Sequence, residues 1–537
     1  MFLIKEVASA SHIYGKKIVD AESFTTWRRW KDGPFALKKV ADRAFCEGLN
    51  LITFHTFANT NPEDGLPGRT YHAGLDINPG TTWWEKSLPF MDYLARCSYL
   101  LQQGLFVADV CYFYGDQAPN FYPLFHDVPE KPMLEGLNKG YDFDVINSDV
   151  ILHRMSVEEG RIVLPDGMSY RVMVLPDQTH MPLEVLKKLE QLVLDGATVI
   201  GKKPEFVPGL NQHVAENKEL NLIAGRMWQG LDGAGLKQVS YGKGRIIDGL
   251  TANEVLSVDQ TKKDFSYSGS TDLDYIHRTL GDGDLYFIRN GEEVIYSGRC
   301  TFRTHKKHPE LWDPSTGDQY SLTAYTREAD LVTIPLELPP GGSHFIVFTD
   351  SQRSLPTWSN PGMSADIKEP VSGPWNVTFP EGWGAPTEAS FDELISWTDS
   401  DEDGIRYFSG TATYHNTLFI DEGRIHQNNR IFLDLGEVRD LSEVFINGTS
   451  AGILWKKPYL VDISDLVTPG ENQAEIQVVN LWVNRLTGDM LADPGERYCR
   501  TNHPYVEKDN WAGGGDETYH LQSSGLLGPV EVLYVEN

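Results

Sequence analysis

Apolar and polar positions follow two regimes along the chain. Up to about residue 104, short apolar runs alternate with stretches of helical period. Phe2–Ala8 is apolar enough for a buried strand, with Glu6 near its end, and Ser9–Gly15 reads as a turn or short helix. Lys17–Ala21 predicts the next strand and Leu49–Phe54 another, with Glu22 and His55 at their ends. Trp27–Gly48 between them reads as a helix. In its second half Leu37, Val40, Ala41, Ala44 and Phe45 recur at helical spacing and Gly48 fits as the stop. A long connection from Thr56 to Thr82, rich in Gly, Pro and Asn, has the length of a functional loop. Trp84–Gly104 is the second helix. Apolar strands alternating with helices suit a parallel sheet covered on both faces. A whole barrel needs eight such units and about 250 residues. Residues 1–104 therefore read as the last units of a (β/α)8 barrel, and the natural protein is expected to begin upstream of Met1.

Beyond Leu105 the pattern changes. Phe106–Tyr114, Tyr170–Leu175, Thr198–Gly201 and Gly244–Asp248 read as strands, and Pro182–Gly196 as an amphipathic helix. Residues 105–262 thus predict an open α/β domain, flavodoxin-like or amidotransferase-like. The GKGR at Gly242–Arg245 lacks phosphate-loop spacing and reads as a turn. From 263 to 350, short strands divided by Gly, Asp and Pro predict a small β-sandwich. Residues 351–373 read as a linker. Residues 374–537 carry six further runs of strand length and the hairpin signal Asn447-Gly448, which together predict a jelly-roll sandwich. The fold class is multidomain α/β plus all-β.

Composition narrows the function. The 537 residues are too many for one core. A formal charge of −29 repels nucleic acid and anionic membranes and favours a neutral substrate, or one helped by a cation. The five cysteines are scattered, without a CxxC pair, so neither a zinc knuckle nor a disulfide framework is indicated. No run is long and apolar enough for a membrane span.

Glycosidic bond cleavage uses two facing carboxyl groups, one protonated and one ionised. Glu22 has the placement for one of them, since barrel chemistry sits at strand ends. Phe24, Trp27 and Trp30 nearby could offer a sugar ring a flat apolar face. Glu6 has the same kind of placement one strand earlier. His55 could bond a sugar hydroxyl or be a satisfied buried histidine. His72 lies on the long loop, where binding residues concentrate. Trp83 and Trp84 could line the pocket, with Trp83 the candidate for the sugar, although packing of the following helix is the simpler role for at least one of them. Asp399, Asp401 and Asp403 form an acidic loop that could hold Ca²⁺, but a solvated turn is the simpler reading. There is no HExxH and no GxSxG.

Several long segments, in order, resemble one family. They are AESFTTW, GLNLITFHTFANTNPEDGLPG, TTWWEKSLPFMDYLARCSYLLQQGLFVADVCYFYGDQAPN, VMVLPDQTHMPLEVLKKLEQLVLDGATVIGKKP and PYLVDISDLVTPGENQAEIQVVNLWVNRLTGD. They are similar to the C-terminal part of family 106 glycoside hydrolases, the α-L-rhamnosidases. The resemblance implies a (β/α)8 barrel, an α/β domain and sandwich modules, the last galactose-binding-like. It implies inverting hydrolysis of terminal α-L-rhamnose aided by Ca²⁺, and a periplasmic or extracellular setting. Glu22 matches the base that activates water. The acid is expected from an earlier barrel strand, so the chain alone is expected to hydrolyse weakly or not at all. The alternatives are a non-catalytic carbohydrate-binding or scaffold fragment, and a related barrel glycosidase such as a β-galactosidase.

Overall fold

Two short parallel strands, β1 (Asp20–Ser23) and β2 (Leu51–Phe54), pair with Glu22 level with Thr53 and Ser23 with Phe54. The computed structural model describes residues 4–25, 28, 30–71, 77–116, 137–210, 213–358, 365, 367–426, 429–502 and 521–536. Among these, β1 and β2 form a two-stranded sheet, and no closed barrel is present. Helix α2 (Pro34–Cys46) joins them and α3 (Leu88–Leu101) follows β2, as the periodicity predicts. Leu37, Ala41 and Phe45 of α2 and Phe90, Leu94 and Leu101 of α3 are buried, and Ala21, Ile52 and Phe54 pack against the same core.

The described part of Phe2–Ala8, from Ile4 on, is not a strand. Ile4–Ile13 forms helix α1, which lies on the α/β domain. Its Lys5 meets Asp142 at 2.6 Å, and its His12 meets Asp144 at 2.9 Å. Phe106–Tyr114 also divides. Leu105–Phe106 (β4) pairs with Leu273–Thr279 of the next domain, whereas Val110–Phe113 (β5) enters the α/β sheet.

That sheet has six strands, parallel except for one edge hairpin. Its order is Gln238–Tyr241, Gly244–Ile247, Thr198–Ile200, Val172–Val174, β5 and Phe143–Ile146 (β6). Helix Leu183–Asp195 covers it with Val185, Leu186, Leu189, Leu192 and Val193 buried, and ends at Gly196 with φ 131°. The strand β6 and the helix Val214–Met227 escape the apolar pattern, the helix because its first half is polar.

Next come a four-stranded and a six-stranded sheet, which include Tyr296–Arg303 with Leu331–Leu338 and Gly283–Asn290 with Ser343–Thr349. They share a core built on Tyr286, Phe302, Ile334 and Phe348. The stretch 351–373 is not all linker: Ile367–Pro370 pairs with Glu531–Glu536 in the last sandwich. That sandwich again has a four-stranded and a six-stranded antiparallel sheet around one core, with Trp375, Tyr414, Leu433, Ile476 and Val532. Asn447 (φ 51°) and Gly448 (φ 80°) make the predicted two-residue hairpin turn, where both central residues need positive φ.

Candidate functional site

The small sheet has one covered face and one bare face. Ala21, Ile52 and Phe54 point to the helices, so by strand alternation Asp20, Glu22, Leu51 and Thr53 point away, and all four are exposed. Parallel sheets are ordinarily covered on both sides. The bare face carries a polar strip. Thr53 Oγ1 donates to Asp20 at 3.0 Å, and Thr25 Oγ1 donates to Glu22 Oε1 at 3.0 Å. Glu22 stands one residue before the C-terminal end of β1, and the Thr25 hydroxyl orients its carboxylate.

Beyond the strand ends the rim is aromatic. Phe24 stacks on Phe54 at 5.7 Å, the His55 ring meets Tyr71 edge-on at 5.3 Å, and Phe57 meets Trp84 at 6.3 Å. Phe57 and Tyr71 are 61% and 50% exposed, large apolar faces left open to solvent. His55 continues β2 through its backbone N–H to Ser23 O, 3.1 Å. Its Nδ1 is buried with no hydrogen-bond partner among the described residues. A sugar hydroxyl could satisfy that atom, since a buried polar atom left unpaired is costly.

The sequence-predicted residues part company here. Glu22 and His55 stand together at the ends of paired strands. Trp83 does not line the rim: it is 1% exposed and packs edge-on against Phe90 at 6.3 Å, so it supports the loop from beneath. Its neighbour Trp84 is the half-buried one. Glu6 sits on α1, not at a strand end. That helix lies beside Gly48, near the N-terminal end of β2, where Ala8 leaves no room for a Cβ on Gly48. Burial raises the Glu6 pKa above the usual carboxylate value. Trp27 and His72 lie outside the described residues. The bare face and rim also hold Asp20, Phe57 and Tyr71, which the sequence reading does not single out. Period-two alternation from Glu22 could have found Asp20, and aromatic content on the long loop the other two.

Among the described residues no three His, Cys, Asp or Glu side chains converge as metal ligands, so no calcium ligand is assigned. In the acidic loop Asp403 is already paired with Arg406, at 2.8 Å. Two arginines near the rim are engaged, Arg28 with Asp32 at 3.1 Å and Arg69 with Asp64 at 2.9 Å.

The sequence matches a glycoside hydrolase family described as alpha-L-rhamnosidase over residues 3–327. A solved rhamnosidase from Novosphingobium sp. PP1Y is 32% identical with a TM-score of 0.85, over 99% of this chain and 49% of that one. A curated protein of Formosa agariphila, named putative beta-glucuronidase, is 27% identical over 98% of this chain and 64% of its own length. The chain therefore spans between about half and two thirds of the length of these relatives.

Proposed function

The chain belongs to the alpha-L-rhamnosidase family of glycoside hydrolases, and from that premise we propose that it serves the hydrolysis of terminal α-L-rhamnose with inversion. The observation that carries the reading is Glu22, near the C-terminal end of a parallel strand and on the face its helices leave bare.

Glu22 acts as the general base. Held by Thr25, its ionised carboxylate takes a proton from the water that attacks the anomeric carbon. The sugar packs on the rim aromatics, and His55 Nδ1 meets a hydroxyl. Inversion places the general acid about 6.5–9.5 Å away, across the sugar. Asp20 does not fill that role, because it stands two residues back on Glu22's own strand and points alongside it. We assign the acid to a barrel strand outside this chain, in keeping with the partial span of the longer relatives. On this reading β1 and β2 are the last strands of a (β/α)8 barrel whose remaining wall would cover Asp20, Glu22, Leu51 and Thr53. The last sandwich is read as a galactose-binding-like jelly roll. Calcium, implied by the family resemblance, would help to bind the sugar hydroxyls. No described helix is long and apolar enough to cross a membrane, and a periplasmic or extracellular setting fits the substrate class.

A glucuronide would bring a carboxylate to the rim and call for an uncommitted cation. Arg28 and Arg69 each already hold an aspartate, so neither is such a cation. The test compares aryl α-L-rhamnoside, aryl β-glucuronide and aryl β-galactoside, each with and without a chelator, in wild type and Glu22→Gln. Weak rhamnoside turnover that vanishes in Glu22→Gln is expected. Strong turnover undiminished by Glu22→Gln, or preference for another glycoside, would overturn the assignment.

A further inference from the structure

Both loops that border Glu22 are gripped by the last sandwich, some 400 residues away in sequence. In the loop after β1, Trp30 packs in one aromatic cluster with Trp383 and Trp482, whose rings lie 5.2 Å apart. Gln522 Nε2 donates to Lys31 O at 3.3 Å. Gly33 lies so near Asp440 that a Cβ there would come within 3.2 Å of it.

The loop after β2 is held at three points. Pro67–Gly68 (β3) pairs in parallel with Arg500–Thr501, and Arg500 N donates to Leu66 O at 2.7 Å. Asn502 clasps the backbone of Thr70: its Oδ1 accepts from Thr70 N at 2.8 Å, and its Nδ2 donates to Thr70 O at 3.1 Å. Trp482 Nε1 donates to Gly80 O at 2.6 Å. Trp482 thus meets both loops. Behind this edge, buried Asp489 pairs with Arg485 at 3.0 Å and accepts from the backbone nitrogens of Tyr498 and Cys499, at 3.1 and 2.6 Å. These bonds fix the segment that leads to Arg500.

We propose that the last sandwich is not a separate sugar-binding module but part of the site's framework, with Trp482 and Asn502 as positioning residues for the two rim loops. This rests on the reading that Glu22 marks the sugar site. Ordering a connection as long as 56–82 costs entropy at each residue that contacts must offset, so contacts from outside the loop add to its order. Local bonds tie parts of it together, such as Arg69 N to Thr60 Oγ1 at 3.1 Å and Ile77 N to Thr56 O at 3.3 Å, and the sandwich adds the long-range contacts at Leu66–Gly68, Thr70 and Gly80. The same loop carries Phe57 and Tyr71 to the rim.

The test is amide hydrogen exchange with L-rhamnose titration, on the full chain. In Asn502→Ala, peptides spanning Ala58–Tyr71 are expected to exchange about tenfold faster, and rhamnose affinity to fall about tenfold. Peptides from Thr411–Ile420 and Gly470–Val479 should keep their protection. Trp482→Phe keeps a ring in the cluster but loses the bond to Gly80, and should loosen Ile77–Trp83 in the same way. Unchanged loop exchange in both variants overturns the proposal. So does loop loosening that leaves rhamnose affinity as in wild type, or loss of protection throughout the sandwich. If wild type binds no rhamnose, the sugar reading fails, and the exchange data alone still decide whether the sandwich holds the loops.

Discussion

The rim around Glu22 and the junction between the α/β domain and the first sandwich use charge in opposite ways. At the junction, charges are buried and matched. Arg303 reaches Asp109 at 2.9 Å and Asp264 at 3.3 Å, and His277 lies 2.9 Å from Asp264 and 3.4 Å from Asp284. On the other flank, Lys38 bonds Asp42 at 2.6 Å and both Gly341 O and Ser343 Oγ at 2.8 Å. At the rim, Glu22 is exposed and its described side-chain bond is to a hydroxyl, not to a cation. Strongly perturbed pKa values are often a guide to catalytic sites. Here groups such as His277 and Asp142, with strongly shifted values, lie where domains are locked together. Burial with a partner marks architecture in this protein, and the proposed site lies instead at a bare strand end.

The largest effect should come from breaking the junction. Asp264→Ala leaves Arg303 and His277 buried without their shared carboxylate, and should cost about 3–5 kcal/mol in urea denaturation. A cost within experimental error would mean the network is not what fixes the domains. Next comes the rim. Glu22→Gln should lower residual rhamnoside turnover by about a hundredfold or more, while leaving the urea midpoint unchanged within about 0.5 kcal/mol. A large stability loss would move Glu22 into the architectural class and remove the contrast.

A milder way to sharpen the comparison is pH. Burial alone would lower the His277 pKa, but Asp264 and Asp284 outweigh it and hold it at about 9, above the ordinary 6.5. A raised folded pKa gives stability that is fully present below 6.5 and lost as pH rises through about 9. The loss should be smaller than in Asp264→Ala, because the neutral ring keeps a hydrogen-bonding nitrogen. His277→Gln should flatten that alkaline decline, followed by tryptophan fluorescence.

Local periodicity made much of the frame legible. Pro34–Gly48, Leu49–Phe54, Pro182–Gly196 and the strands of the last sandwich each carry their pattern within a short local stretch. The start misled because a short apolar run such as Phe2–Ala8 fits a buried strand and a helix equally. Its partners Asp142 and Asp144, far along the chain, decide the matter. Phe106–Tyr114 looked like one strand because its two halves serve different sheets. The place of Glu22 near a strand end was readable from the apolar run before it. Asn502, Trp482 and Asp440 were not, since their roles exist only in contacts with distant loops.

Asp440 brings the two kinds of region together, and the smallest prediction turns on it. It belongs to the last sandwich but lies against Gly33 of the first rim loop. Burial lifts its pKa from 3.8 to about 7; Arg439 opposes the rise and Asp32 adds to it. The sign follows from the raised value. The contact is fully stabilising below about 4, where the acid is protonated whether folded or not, and weakens as pH rises through about 7. By surface area the side chain is half-buried, so solvent screens part of this, and the effect should be about 1 kcal/mol or less. Asp440→Asn should exceed wild type in urea slightly at pH 8 and by less at pH 5. Equal stability at both values would mean that the carboxylate escapes to water, and that this contact belongs with the open rim rather than with the locked junction.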